Sequence, residues 1–138
     1  EKNKIIILET LRKLARENHK LILFSSHDWR LAKEFADKIW YIKDRKLHAG
    51  MVEDVLIQHH ELTDPSMFNV NEHFKAPHIT APPIHKEMLY SLLQKNSTAD
   101  LSHLDFEFRD NRWNIDVKGS LYQCESFEEI LSLIKIFH

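Results

Sequence analysis

The first 60 residues alternate between amphipathic segments and short runs that are apolar throughout. Apolar side chains recur at helical spacing over residues 3 to 17, which predicts an amphipathic helix. Residues 21 to 24 and residues 39 to 42 are continuously apolar and too short for helices, as is typical of strands buried on both faces of a parallel sheet. Asp28 can cap a helix between these two strands, and the order strand, helix, strand predicts a right-handed crossover.

A hairpin and a short helix are predicted to complete this first unit. Residues 46 to 50 form a third predicted strand, which pairs with the second across a tight turn near Asp44 and Arg45. Residues 53 to 60 follow as a short helix. We therefore predict an α/β unit over residues 1 to 60, in which helices flank a sheet.

The periodicity disappears between residues 61 and 85, where the four prolines of the chain lie among polar residues. Proline disfavours both helices and sheet ladders because it lacks a backbone N–H and has a fixed φ. These residues are therefore predicted to form a linker or an irregular wrapping segment.

Residues 86 to 138 regain a regular pattern. A helix is predicted over residues 87 to 94, and strict alternation predicts two strands joined by Asp110 and Asn111, which tolerate the positive φ of a type I′ turn. Ser126 and Glu129 form a capping box for a closing helix, whose apolar stripe fits the apolar face of the hairpin. This pattern predicts a small α+β domain of helix, two or three antiparallel strands and helix.

Composition and charge exclude several classes of protein. The net charge of -2 combines 12 Lys or Arg and 9 Asp or Glu in residues 1 to 60 with 7 and 12 in residues 61 to 138. The charge of neither half indicates a nucleic-acid-binding surface, for which a clustered basic face is expected. The single cysteine, Cys124, excludes a disulfide framework and a cysteine-rich zinc site, and it is interpreted as a packing residue. No apolar run approaches the roughly 20 residues that cross a bilayer.

The ten histidines do not predict a metal site. Metal ligands must converge at a definite spacing, such as two histidines one helical turn apart. The histidines closest in sequence, His59 and His60, are adjacent and would point to different faces of a helix.

The strongest candidate site follows the first predicted strand. Ser25, Ser26 and His27 come directly after the apolar run of residues 21 to 24. Open α/β sheets bind ligands just beyond the carboxyl ends of their strands, so these residues are predicted to meet a nucleotide or another anion. The next residue, Asp28, is interpreted as a helix cap and not as a catalytic acid.

Residues 25 to 56, SSHDWRLAKEFADKIWYIKDRKLHAGMVEDVL, resemble a known family. The match consists of a strand that ends in Ser-His-Asp, a helix with an Ala-Asp pair, a strand, a hairpin, a glycine and a final helix. This order is similar to that at the end of the ATP-binding subunits of ABC transporters, especially importers of iron chelates and cobalamin. The resemblance covers roughly residues 1 to 60, and it departs from the family at Arg45, where the hairpin often carries a glycine.

The resemblance implies a function for the loop. It identifies His27 as the switch histidine, a catalytic residue that contacts the γ-phosphate of ATP, with Ser26 as a second nucleotide-binding residue. An imidazole can donate a directional hydrogen bond to a phosphate oxygen, and its protonation is easily tuned near neutral pH. The implied fold is the carboxyl-terminal part of a P-loop NTPase sheet, after the Walker B strand, followed by the small α+β domain.

Cofactors and partners also follow from the resemblance. It implies ATP and Mg²⁺ as cofactors, and transmembrane permease subunits and a second ATP-binding subunit as partners, at the cytoplasmic face of a bacterial membrane. The phosphate-cradling loop, the signature loop and the catalytic glutamate would precede Glu1. The chain is therefore expected to be a fragment that does not hydrolyse ATP alone.

Two alternatives remain open at this point. In the first, the function of the chain lies in residues 61 to 138, which act as a regulatory or dimerisation module of a transport ATPase. The histidine loop also occurs in related ABC-type ATPases of DNA repair and translation.

Overall fold

The computed structural model describes residues 2–61, 73–97 and 99–137, and these contain five helices and six strands. In chain order they are α1 (Lys2–Glu17), α2 (Trp29–Phe35), β1 (Lys38–Lys43), β2 (Lys46–Met51), α3 (Val52–Gln58), β3 (His78–Thr80), α4 (Pro83–Asn96), β4 (Asp105–Arg109), β5 (Arg112–Val117), β6 (Ser120–Cys124) and α5 (Phe127–Phe137). The predicted α/β class is confirmed.

Two sheets form within the described ranges. Strands β1 and β2 make an antiparallel pair, and the second sheet has the order β3-β4-β5-β6, in which only β3 and β4 run parallel. Asp110 and Asn111 have φ values of 55° and 61°, which confirms the predicted turn. The strand β6 follows a further two-residue turn, in which Lys118 and Gly119 also have positive φ.

The prediction of a buried strand at residues 21 to 24 is wrong. These residues form neither helix nor strand, and Leu21 and Leu23 are 97% and 75% exposed. A strand needs at least one hydrogen-bonded neighbour, and a parallel one also needs apolar cover on both faces, but no described strand lies beside this segment. The predicted parallel crossover into β1 is also wrong, because among the described strands β1 pairs only with β2, and the pair is antiparallel.

The predicted linker of residues 61 to 85 is partly structured. Residues 62 to 72 lie outside the described part of the chain, but β3 pairs with β4, and α4 begins at Pro83. Proline is favoured in the first turn of a helix because the N–H it lacks has no partner there. The helix predicted over residues 87 to 94 is thus confirmed but starts one turn earlier.

A single hydrophobic core joins both halves of the chain. Met51, Val52 and Leu56 around α3 pack in the same cluster as Met88 and Leu92 of α4. The apolar face of the β4–β5 hairpin and the stripe of α5 complete this cluster, with Phe106, Trp113, Ile115, Phe127 and Ile130 among its buried members. The predicted packing of the closing helix on the hairpin is therefore confirmed.

Buried charges connect α2 with α4. The Nζ of Lys33 donates to Oγ of Ser91 at 2.7 Å, and this hydroxyl donates to Oε1 of Glu34 at 2.8 Å. Lys33, Glu34 and Ser91 are all at most 1% exposed. Such groups are tolerated in an interior only when they are paired, so this network fixes α2 against α4.

A second buried pair involves Lys95 of α4. Its Nζ donates to Oε2 of Glu53 at 3.0 Å, to the carbonyl oxygen of Lys33 at 2.9 Å and to that of Ala36. Burial raises the pKa of Glu53 to about 7 and lowers the pKa of Lys95. Lys95 therefore joins the carboxyl end of α2 to the start of α3.

Helix α1 is attached through polar contacts of two arginines, Arg12 and Arg16. Nη2 of Arg16 donates to Oδ1 of Asn96 at 2.7 Å and to Oδ1 of Asp37 at 3.2 Å. None of its residues is buried. The guanidinium of Arg12 donates to the carbonyl oxygens of Phe35 and Lys95, each at 2.9 Å, and its Nη1 lies 3.0 Å from Oδ1 of Asp37.

Candidate functional site

The loop that carries His27 is fixed by its neighbours. The backbone N–H of Asp28 donates to Oγ of Ser26 at 3.0 Å. The Asp28 carboxylate accepts from the backbone N–H groups of Arg30 and Leu31 at 3.1 and 3.2 Å, which confirms its predicted role as the N-cap of α2. The loop backbone is thus held on both sides of the histidine.

Loss of this cap is expected to weaken α2. Asp28→Ala leaves two backbone N–H groups without their acceptor and should lower the free energy of unfolding by about 1 kcal/mol. Urea unfolding followed by circular dichroism measures the change. Asp28→Asn, which keeps a capping oxygen, is the matched control, and an equal loss in both variants would contradict the capping role.

Lys4 and residues 25 to 30 line an open groove with a volume of about 630 Å³. The cations at this groove are Lys4 from α1 and Arg30 from the first turn of α2. Nη1 of Arg30 lies 3.0 Å from Oε1 of Glu87, a residue of α4 that is 1% exposed. The only carboxylate that lines the described groove, that of Asp28, is engaged in the helix cap, so the groove favours an anion.

The three residues predicted to meet an anion, Ser25, Ser26 and His27, all line this groove. The imidazole of His27 is exposed and makes no hydrogen bond to the described residues, whereas Ser26 is half-buried and accepts from Asp28. The ring of Trp29 contacts that of Tyr41 at 5.4 Å and seats the loop on β1. The expected position at the carboxyl end of a parallel strand is wrong, because residues 21 to 24 form no strand.

The groove includes residues that the sequence analysis did not single out. Arg30 follows His27 by three residues, so its closeness in sequence could have identified it as a candidate groove residue. Lys4 gave no signal, because it is one of several lysines on an exposed helix. Glu87 lies 57 residues from Arg30, so only the packing of α2 on α4 shows that it orients the guanidinium.

The groove suits a phosphate better than a metal ion. An imidazole and two cations can all act as hydrogen-bond donors to phosphate oxygens. Mg²⁺ prefers carboxylate and carbonyl oxygens, and Asp28 already accepts two hydrogen bonds. The described part of the groove therefore suits a phosphate group, and Asp28 is not free to act as a ligand for Mg²⁺.

Outside the groove, the side chains of His48 in β2 and His59 at the end of α3 contact each other. The rings of His48 and His59 are 4.3 Å apart, and that of Tyr41 is 4.9 Å from His59. Desolvation and the nearby His48 lower the pKa of His59. The hydrogen bond to Glu61 raises the pKa of Tyr41 to about 12.

Across residues 2–61, 73–97 and 99–137, no group of three or more His, Cys, Asp or Glu side chains is arranged to hold a metal ion.

None of the helices in the described ranges has the length and apolarity needed to span a bilayer. Comparisons with protein-family models, with curated proteins and with solved structures found no match to the chain.

Proposed function

We propose that residues 1 to 60 belong to the ATP-binding subunit of an ABC importer, with His27 as the residue that contacts the γ-phosphate. The observation that carries this proposal is the loop of residues 25 to 28. Ser26 and Asp28 hold its backbone, while the imidazole between them is exposed in a groove lined by Lys4 and Arg30. This arrangement supports the role that the sequence resemblance implies for the loop.

The exposed apolar segment before the loop is a second support. Leu21 and Leu23 are too apolar to remain in water without cost, since each buried side chain of this size contributes about 1.5 to 3 kcal/mol. In the proposed ATPase, contacts with the rest of the subunit would cover these side chains, without any need for residues 21 to 24 to form a strand. The proposal itself depends on the loop, because residues 21 to 24 form no strand here.

The role assigned to His27 is to donate one hydrogen bond to the γ-phosphate. Hydrolysis of ATP joins water to the γ-phosphorus and breaks its bond to the bridging oxygen, and the protein contributes mainly position and charge stabilisation. The imidazole N–H of His27 would donate to a γ-phosphate oxygen, and the hydroxyl of Ser26 retains its proton for a second hydrogen bond. In an importer, for which iron-siderophore or cobalamin-like solutes fit the resemblance, the partners would be permease subunits and a second ATP-binding subunit at the cytoplasmic membrane face.

The experiment is a substitution in the ATPase that contains this chain. His27→Ala should keep nucleotide binding and lose about tenfold or more in turnover, which corresponds to about 1.4 kcal/mol. Phosphate release measures turnover, and fluorescence of a labelled ATP analogue measures binding. His78→Ala, which removes an exposed histidine from β3, is the matched control and should retain full activity.

Unchanged hydrolysis in His27→Ala would overturn the assignment of this residue. If the intact protein binds no ATP at all, the ATPase proposal fails as a whole. The remaining candidate is then a regulatory module formed by the second half of the chain. The specific observation that favours this candidate is the buried polar contact between α4 and α2, through which Glu87 holds Arg30 at the groove.

A further inference from the structure

A second cavity lies between α5 and the sheet, far in sequence from the groove of His27. Its floor is a row of paired residues on the inner face of the sheet, Phe106, Ile115 and Tyr122. Leu133 and Ile134 of α5 form the opposite wall. The cavity has a volume of about 380 Å³, within the range of about 300 to 1,000 Å³ typical of small-molecule sites.

The polar side chains at the edge of this cavity include a lysine and a histidine but no carboxylate in the described ranges. Lys118 in the β5–β6 turn and His103 before β4 lie at its edge, and no Asp or Glu in the described ranges lines it. The nearest carboxylate in sequence, Asp116, accepts a hydrogen bond from the backbone N–H of Gly119 at 2.8 Å and is engaged within the turn. The cavity therefore combines apolar walls with a basic edge.

The position of Lys118 adds a second observation. Its φ is 53°, a left-handed conformation that Asn and Gly adopt with less strain than a long side chain. A lysine here has a backbone cost, yet it places an ammonium group beside an apolar cavity.

We infer that this cavity binds a small amphipathic carboxylate, with its apolar body between the sheet and α5 and its carboxylate at Lys118 and His103. Apolar walls remove the body of the ligand from water, and a lysine ammonium makes a stronger, charge-assisted hydrogen bond to a carboxylate than to a neutral group. A cationic ligand is disfavoured, because its charge would face Lys118, and the carboxylate of Asp116 does not line the cavity and is engaged within the turn. The inference does not depend on the proposed ATPase function, since the cavity shares no lining residue with the groove of His27.

The test uses three probes with the same apolar body and different head groups. Octanoate, octanol and octylammonium are titrated into the 138-residue chain, and binding is followed by calorimetry and by amide chemical shifts. Octanoate should bind about tenfold more tightly than the other two, as expected of one charge-assisted hydrogen bond. The largest shifts should fall on the amides of β5, β6 and α5.

Two substitutions locate the binding. Lys118→Asn keeps a residue that tolerates positive φ and should remove the advantage of octanoate over octanol. Leu133→Trp fills the cavity and should weaken octanoate binding by about tenfold or more. The controls are Lys135→Asn and Leu121→Trp, which change exposed residues outside the cavity lining and should leave binding unchanged.

Circular dichroism checks that the Leu133→Trp variant is folded. If Leu133→Trp does not fold, the result for Lys118→Asn decides the test. Equal affinities for octanoate and octylammonium would overturn the inference. So would undiminished octanoate binding in a folded Leu133→Trp variant, retention of the octanoate advantage in Lys118→Asn, or the absence of binding by all three probes.

Discussion

Replacement of Lys95 by methionine is expected to lower the free energy of unfolding by about 3 to 5 kcal/mol, as for other buried pairs that lose one partner. The side chain of Lys95 is 2% exposed, and its Nζ donates to Glu53 and to two backbone carbonyl oxygens. Methionine has a similar length but no donor. Glu53, which is fully buried, would remain without its counter-charge.

The pH dependence of stability provides an independent readout. Because burial raises the pKa of Glu53 from 4.5 to about 7, the folded protein holds a proton that the unfolded chain has released above about pH 4.5. The contribution of Glu53 therefore lowers the free energy of unfolding as pH rises from about 4.5 to about 7. In Lys95→Met the attraction that opposes this rise in the pKa of Glu53 is lost, so the decline should extend to higher pH.

Urea unfolding at about pH 5 and about pH 8 measures both effects. Lys86→Met, at an exposed position of the same helix, is the matched control and should change stability by less than about 0.5 kcal/mol. The double variant Glu53→Leu with Lys95→Met should recover much of the loss, because neither charge remains buried. A loss in Lys95→Met that is small and independent of pH would contradict the buried pair.

Truncation of Trp113 to alanine is expected to lower the free energy of unfolding by about 3 to 5 kcal/mol, the usual range for a buried tryptophan. Trp113 is 1% exposed and lies on the inner face of β5. Its ring contacts those of Phe108 at 5.1 Å and Phe127 at 6.0 Å, so the substitution opens a cavity between the sheet and α5.

Thermal unfolding followed by far-ultraviolet circular dichroism measures this loss without relying on tryptophan fluorescence. Trp40→Ala is the control, because Trp40 lies on a strand but is 68% exposed. It should cost less than about 0.5 kcal/mol. Equal losses in the two variants would show that the core is not centred on Trp113.

Local patterns in the sequence predicted most of the elements and part of the site. The alternation across Asp110 and Asn111, the capping box at Ser126 and the periodicity of α1 each depend on neighbouring residues, and all three agree with the structure. The cap at Asp28 is equally local. These features are predictable because the residues that stabilise them lie within one turn of the chain.

Long-range contacts could not be predicted in the same way. The apolar run of residues 21 to 24 indicated a strand, but a strand also needs neighbours, and these depend on the rest of the fold. The buried network of Lys33, Glu34 and Ser91 joins positions almost 60 residues apart. The charged residues of α2 do not show, in the sequence, that they pack against α4. The contact between Arg30 and Glu87 was not predicted for the same reason, because the two residues are 57 positions apart in the chain.

The attachment of α1 through Arg12 and Arg16 has a consequence for motion in the native state. With no buried side chain of its own, this helix can separate from the remainder without exposing the core, so its backbone amides should exchange with solvent through low-energy local opening. The carbonyl oxygens of Phe35 and Lys95 would then lose a shared donor at the same moment. Fluctuations of the first helix are thereby transmitted to the carboxyl ends of both α2 and α4.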